Sequence, residues 1–227
     1  MNWKTLTKDN AKYVFTGWNF NTEPLLHQYQ AMTWASDKSR VALFMGIGTG
    51  KTLTSLYTHE MWGTKRLLVV CPNSVMTTWE EQIDQHTDKS VILLTGTKAE
   101  REELLQNYAD IYVINYKGLQ VLFWNRHDKY PLEDKINACG FDGLIIDECH
   151  AVKNNLSHTS QICRNISNLS KNVIIMTGSP IANNESDLWS EFHVLNGGKS
   201  LTANYWHFMR NYFNPVEKRT KTRKGTD

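Results

Sequence analysis

The stretch GIGTGKT, Gly46 to Thr52, carries the residue types that hold a polyphosphate. Gly46, Gly48 and Gly50 permit backbone angles that a Cβ resists, and they let main-chain N–H groups approach phosphate oxygens. Thr49 lies inside the loop. A helix opening near Lys51 would turn its positive end toward the same anion. Lys51 then reaches the β- and γ-phosphates of ATP, and the Thr52 hydroxyl ligates Mg²⁺. The strict spacing asks for glycine at position 45, where this chain has Met45. The assignment therefore leans on context, an apolar run before the loop and helical periodicity after it.

A second cluster follows another apolar run, in GLIIDECH, where Asp147 and Glu148 stand together. Two carboxylates at the end of a buried strand are unfavourable unless a cation neutralises them. Mg²⁺–ATP would supply that cation. Asp147 would hold the metal through water, and Glu148 would orient or deprotonate the attacking water. Ligands of open α/β sheets bind outside the carboxyl ends of the strands, so both clusters can share one edge. His150 comes next; a lone histidine is most often structural, but here a role in coupling nucleotide state to the rest of the machine fits.

The elements that must position these groups are legible. Apolar runs occur at Val41–Met45, Arg66–Cys71, Ser90–Thr95, Ile111–Asn115, Gly143–Asp147 and Asn172–Thr177. They lack polar alternation, as strands buried on both faces do. Between them, helical faces are spelled by Leu53, Leu56, Tyr57 and Met61; by Val75, Trp79 and Ile83; by Leu104, Leu105 and Tyr108; and by Ile162, Cys163, Ile166 and Leu169. Alternating strand and helix predicts an α/β domain with a mainly parallel sheet and helices on both faces. Residues 1–24 read as an arm packing on this domain, 25–213 as the nucleotide-binding lobe, and Val121–Cys139 as an insertion or long loop. Residues 214–227 read as a solvated basic tail, the alternatives being the start of a linker to a second lobe or a nucleic-acid contact.

Bulk properties set limits. The chain has 227 residues and a net charge of +2, too small to mark a nucleic-acid binder by charge alone. No apolar stretch has the length of a membrane span or a signal peptide, so a soluble, cytoplasmic protein is expected. Cys71, Cys139, Cys149 and Cys163 form no C-x-x-C pair and are expected to be reduced thiols. The spacing of Cys149, His150, His158 and Cys163 matches no common zinc pattern.

Taken in order, the motifs resemble the first RecA-like motor lobe of the Swi/Snf-type ATPases of helicase superfamily two. LLHQYQ (25–30) resembles the adenine-reading motif ahead of the phosphate loop, and GIGTGKT resembles motif I. VVCPNSVMTTW (69–79) resembles motif Ia and VINYKGL (113–119) motif Ib. IIDECHAVKN (145–154) resembles motif II with its Lys-Asn extension, and MTGSPIANNESDLWSEFHVLNGG (176–198) resembles motif III. DECH stands where DEAH is commoner, and GIGTGKT reads more like bacterial or phage members.

The resemblance implies a P-loop NTPase fold. It implies that Gln30, with His27 near it, contacts adenine. Gly46, Gly48, Thr49, Gly50, Lys51 and Thr52 would hold phosphates and metal. His150, Thr177 and Ser179 would couple nucleotide state to nucleic acid, and Ser74, Asn115 and Tyr116 would lie toward the tracked strand of double-stranded DNA. The family's second RecA-like lobe, carrying arginines that complete the ATP site, does not fit after Gly198. It is expected in cis or in trans, with weak hydrolysis by this chain alone. Rival readings are a strand-separating helicase, a restriction-type motor subunit, or a nucleotide-dependent regulator without turnover; loss of Glu148 would mark the last, and Glu148 is present.

Overall fold

The computed structural model describes residues 3–18, 20–124, 131–179 and 186–213. A short 3₁₀ turn at Trp3–Thr5 leads into α1 (Lys8–Val14) and α2 (Leu26–Ala35). Next come β1 (Arg40–Phe44), α3 (Lys51–Met61), β2 (Leu67–Cys71), α4 (Met76–His86), β3 (Val91–Leu93) and α5 (Lys98–Leu104). After them run β4 (Ile111–Asn115), α6 (Tyr116–Phe123), α7 (Leu132–Cys139), β5 (Gly143–Asp147), α8 (His158–Leu169), β6 (Asn172–Thr177), α9 (Asp187–Asn196) and α10 (Tyr205–Tyr212). All six apolar runs are strands. They form one sheet in the order β1-β6-β5-β2-β4-β3, with every pairing parallel.

Side chains alternate across each strand, and both faces are covered. Leu68, Val70, Tyr112, Ile114, Leu144, Ile146, Val173 and Ile175 point into one core, which α6, α7, α8 and α9 close with Leu122, Ile136, Ile162 and Val194. Val41, Leu43, Val69, Val113, Ile145, Ile174 and Met176 point into the other, which α3 and α4 close with Leu56, Trp79 and Ile83. This explains why the strands read as unbroken apolar runs.

A third cluster joins the segment ahead of Pro24 to the lobe. Leu6, Ala11 and Phe15 bury themselves against Tyr29 and Met32 of α2 and Leu53 and Tyr57 of α3. Thr7 caps α1, accepting from Asn10 N while Asn10 Oδ1 accepts from Thr7 N. The basic stretch 214–227 lies outside the described residues.

Two sequence expectations need correction. The segment Val121–Cys139 carries the end of α6 and all of α7, separated by residues 125–130, which lie outside those described. Leu132, Ile136 and Cys139 fall at helical spacing and reach the core, and Gly140, at φ 66°, ends the helix in the left-handed conformation. The intervening polar residues hid that period. Conversely, Tyr108 does not extend the face of Leu104: α5 stops there, and Tyr108 is 71% exposed. The buried Tyr112 hydroxyl accepts from Ala109 N and donates to Asn107 O, drawing the chain out of the helix and into β4.

Strand order decides what meets. Phe44 pairs with Thr177, Asp147 with Met176 and Cys71 with Asn115. The carboxyl ends of β1, β6, β5, β2 and β4 thus form one edge. Arg40, at the opposite end of β1, donates to the carbonyls of Ser167, Ser170 and Leu195, fixing β1 against the C-termini of α8 and α9.

Candidate nucleotide site

The turn from β1 to α3 needs its glycines. Gly48 and Gly50 have φ of 75° and 78°, in the left-handed region where a Cβ is strained. Gly50 is also the N-cap of α3, and a Cβ there would collide with the Gln28 amide. Gln28 is a brace that the sequence reading missed. Its Nε2 donates to Thr49 O at 3.1 Å and its Oε1 accepts from Leu25 N at 2.7 Å. His27 Nε2 donates to the same Thr49 carbonyl at 2.9 Å. Gln30, the residue expected at adenine, donates to Leu6 O at 3.4 Å. Together with His27, Trp3, Ala31 and Trp34, it lines a cavity of about 260 Å³.

Within the loop, Thr49 Oγ1 donates to Gly46 O at 2.7 Å, and Lys51 Nζ to Met45 O and Gly46 O at 3.1 and 3.2 Å. A Cβ on Gly178 would stand 3.6 Å from Lys51 Nζ, so the end of β6 lies beside the lysine. Thr52 occupies the first turn of α3.

The acidic turn is fixed atom by atom. Asp147 Oδ1 accepts from Glu148 N at 2.9 Å, and Oδ2 accepts from the Trp79 indole at 3.0 Å. Burial pushes the Asp147 carboxyl up, the Trp79 hydrogen bond opposes that, and the Glu148 charge adds to it. Glu148 has φ 51° and is the one non-glycine with positive φ among the described residues. Such strain persists only where the surroundings impose it. Here Glu148 Oε2 accepts from Thr177 Oγ1 at 2.8 Å, and His150 Nδ1 lies 3.3 Å from the same oxygen. Thr177 Oγ1 in turn accepts from Ser179 N at 3.1 Å. The 3₁₀ turn Cys149–Val152 that follows is pinned by α9: Ser190 Oγ donates to Val152 O at 2.6 Å, and Cys149 Sγ to Glu191 Oε2 at 3.4 Å.

The three residues expected toward nucleic acid separate. Ser74 is exposed on the turn Asn73–Val75. Asn115 joins that rim through Nδ2, which donates to Asn73 Oδ1 at 2.7 Å, while its Oδ1 caps α6 at Gly118 N. Tyr116 differs from its expected placement. Its hydroxyl donates to Asp147 O at 2.5 Å, inside the lobe, because the first residue of α6 turns in toward the neighbouring strand end.

Among the described residues, no group of three or more His, Cys, Asp or Glu side chains surrounds a single point. Mg²⁺, which favours one or two carboxylates plus substrate phosphates, suits Thr52 and a desolvated Asp147 beside a phosphate loop better than any all-protein cage would. Gly48 opens onto free space, as a phosphate cradle requires.

An all-parallel sheet with a glycine-rich loop, an acidic strand end and a Thr-Gly-Ser strand end on one edge defines a RecA-like nucleotide-binding lobe. Comparison with known proteins narrows that class. Residues 27–225 match the SNF2-related domain, and the chain belongs to that family. Among similar proteins, the "ISWI chromatin-remodeling complex ATPase ISW1" of Saccharomyces cerevisiae is 31% identical over 186 residues, 74% of this chain and 15% of that one. The "Helicase-like transcription factor" of Homo sapiens is 28% identical over 144 residues, 62% of this chain and 14% of that one. The chain thus spans about a seventh of the length of these relatives. A solved structure, the "Sulfolobus solfataricus SWI2/SNF2 ATPase core in complex with dsDNA", has the same fold, with TM-score 0.68 at 22% identity over 89% of this chain and 41% of that one. Among the described residues, no helix is long and apolar enough to cross a membrane.

Proposed function

We propose that this chain is the ATP-binding first lobe of a DNA-dependent ATPase that translocates on double-stranded DNA. One observation carries the reading: Lys51, Glu148 and Thr177 come from distant stretches onto one sheet edge, where Thr177 donates to the Glu148 oxygen that His150 Nδ1 approaches to 3.3 Å. Lys51 binds the β- and γ-phosphates as a point charge, and the Gly46–Gly50 backbone cradles them. His27 and Gln30 border the base. Thr52 and Asp147 would hold Mg²⁺, which would supply Lewis acidity to the transferring phosphoryl group. Glu148 aligns the attacking water and accepts its proton. His150, Thr177 and Ser179 report the state of that carboxylate to the rest of the machine.

Double-stranded DNA as partner is supported by the family and by the DNA-bound Sulfolobus core; Ser74 and Asn115 are its proposed contacts, and the basic residues 214–227 a further contact or a linker. A second RecA-like lobe, in cis or in trans, supplies arginines worth about 10³–10⁵ in rate. Without that lobe beside them, these residues are expected to bind Mg²⁺–ATP and to turn it over slowly. The bacterial or phage-infected cytoplasm is the proposed setting. The test is a Mg²⁺–ATP titration beside turnover with and without duplex DNA. Binding that Lys51→Ala abolishes supports the reading, and binding indifferent to Lys51→Ala ends it. A strand-displacement assay separates translocation from unwinding.

A further inference from the structure

One contact at the acidic turn has no part in the chemistry above. Trp79 sits at the end of the first turn of α4, 2% exposed, packed with Val69, Cys71 and Met176. Its position on an apolar helical face accounts for the ring. It does not account for the N–H. An indole nitrogen donates and cannot accept, and a buried one needs an oxygen. That oxygen is Asp147 Oδ2, at 3.0 Å.

Consider the carboxylate from its own side. The torsion that rotates an aspartate carboxyl is broad and roughly two-fold, so Asp147 does not orient itself. Two donors from different elements do so: Glu148 N on Oδ1 and Trp79 on Oδ2. The first belongs to the same turn and moves with it. Trp79 belongs to α4, a helix outside that turn, and fixes the carboxylate against the body of the lobe. The same hydrogen bond favours the ionised carboxyl, against the burial that disfavours it.

We propose that Trp79 is a positioning residue for Asp147, its indole N–H setting the orientation in which that carboxylate meets a nucleotide-bound divalent cation. This rests on the reading of the edge as a Mg²⁺–nucleotide site. Groups that orient metal-binding carboxylates typically change metal affinity about 10–100-fold when removed. A group that serves only the core would change stability and leave metal dependence alone.

The experiment is a titration of Mg²⁺ and Mn²⁺ into the full chain with a fluorescent ATP analogue, read as the metal concentration for half-maximal binding. Trp79→Phe keeps an apolar ring and drops the donor. Incorporating 3-benzothienylalanine at position 79 keeps the two-ring shape without the N–H, which guards against a packing defect. The expected result is a rise of about tenfold in the metal required, with metal-free analogue affinity unchanged. In an Asp147→Asn background the same replacements should add nothing, because the two groups act as one unit. Unchanged metal dependence, or an equal further loss in Asp147→Asn, overturns the role. A parent chain that binds the analogue with no metal dependence sinks both this role and the site reading. A metal-dependent parent with indifferent position-79 variants sinks the role of Trp79 alone.

Discussion

Thr177 Oγ1 donates to Glu148 Oε2 across 2.8 Å, joining the last residue of β6 to the residue that follows β5. The two lie 29 positions apart in sequence, brought together by the direct pairing of these strands. The same hydroxyl accepts from Ser179 N at 3.1 Å, so one side chain joins the backbone just beyond β6 to the carboxylate.

The first prediction concerns this hydrogen bond. Thr177→Val preserves shape and removes the donor. Thr177 is wholly buried, and Val brings no new volume, so the fold should survive at a cost of about 1 kcal/mol. Glu148 loses the partner that orients it but keeps its carboxylate, so single-turnover ATP hydrolysis should fall about 10–100-fold, less than the about 10²–10⁴-fold that a whole general base contributes, while Mg²⁺–ATP affinity stays within about twofold of the parent. An equal loss in affinity and rate would assign Thr177 to nucleotide binding instead.

Gly50 supports a second prediction. At φ 78° an alanine meets left-handed strain of about 1–2 kcal/mol, and its Cβ meets the Gln28 amide. Gly50→Ala should lower the thermal midpoint by about 2–8 °C for a chain of this size and weaken ATP binding, because the N–H groups at the start of α3 shift. Adding Gln28→Ala removes the collision but not the strain, so recovery should be partial. Full recovery would mean that the left-handed angle is dispensable.

Much of this site is written in local sequence. GIGTGKT and DECH suggest their proposed chemistry through residue type and order, and the strands that carry them are continuous apolar runs. What was not legible depends on tertiary contact. Gln28 sits two residues from the glutamine that the family pattern singles out, and only the close approach of α2 to the loop shows that it braces Thr49. Trp79 satisfies an apolar helical pattern completely, so nothing in that pattern signals its N–H. Tyr116 follows a strand end as a nucleic-acid contact would, and only the neighbouring strand reveals where its hydroxyl goes. Helix α7 was masked by polar residues at its exposed positions.

Glu191 carries the pH prediction. Its side chain is fully buried on α9; Oε2 accepts from the Cys149 thiol, and Oε1 has no partner among the described residues. Burial raises its carboxyl to about 7, with Asp187 adding to the rise and the Cys149 hydrogen bond opposing it. A carboxyl raised in the folded state adds stability that is complete below its unfolded value, near 4.3, and is lost as pH climbs through about 7. Stability should therefore decline between about pH 4.5 and 7.5 by at most about 3 kcal/mol from this group. Glu191→Gln, neutral throughout, should flatten that part of the profile in urea melts. A parallel decline in parent and variant would assign it to other groups.

Tyr116 decides between a surface role and an internal one. Its hydroxyl donates to Asp147 O at 2.5 Å, and burial holds its phenol well above the ordinary tyrosine range, so it stays a donor at every working pH. Tyr116→Phe leaves that carbonyl short of a partner and should cost about 1–3 kcal/mol in stability. It also frees the backbone at the junction of Asp147 and Glu148, so ATP turnover should fall with the stability. Affinity for duplex DNA should stay unchanged, because the lost hydroxyl never reaches the rim. Asn115→Ala is the contrasting variant. It removes the cap of α6, worth about 1 kcal/mol, together with the Nδ2 bond to Asn73 on the exposed rim, and DNA affinity should fall. A DNA-binding defect in Tyr116→Phe at a temperature where the variant remains folded would return this residue to the nucleic-acid face and require α6 to turn outward when DNA binds.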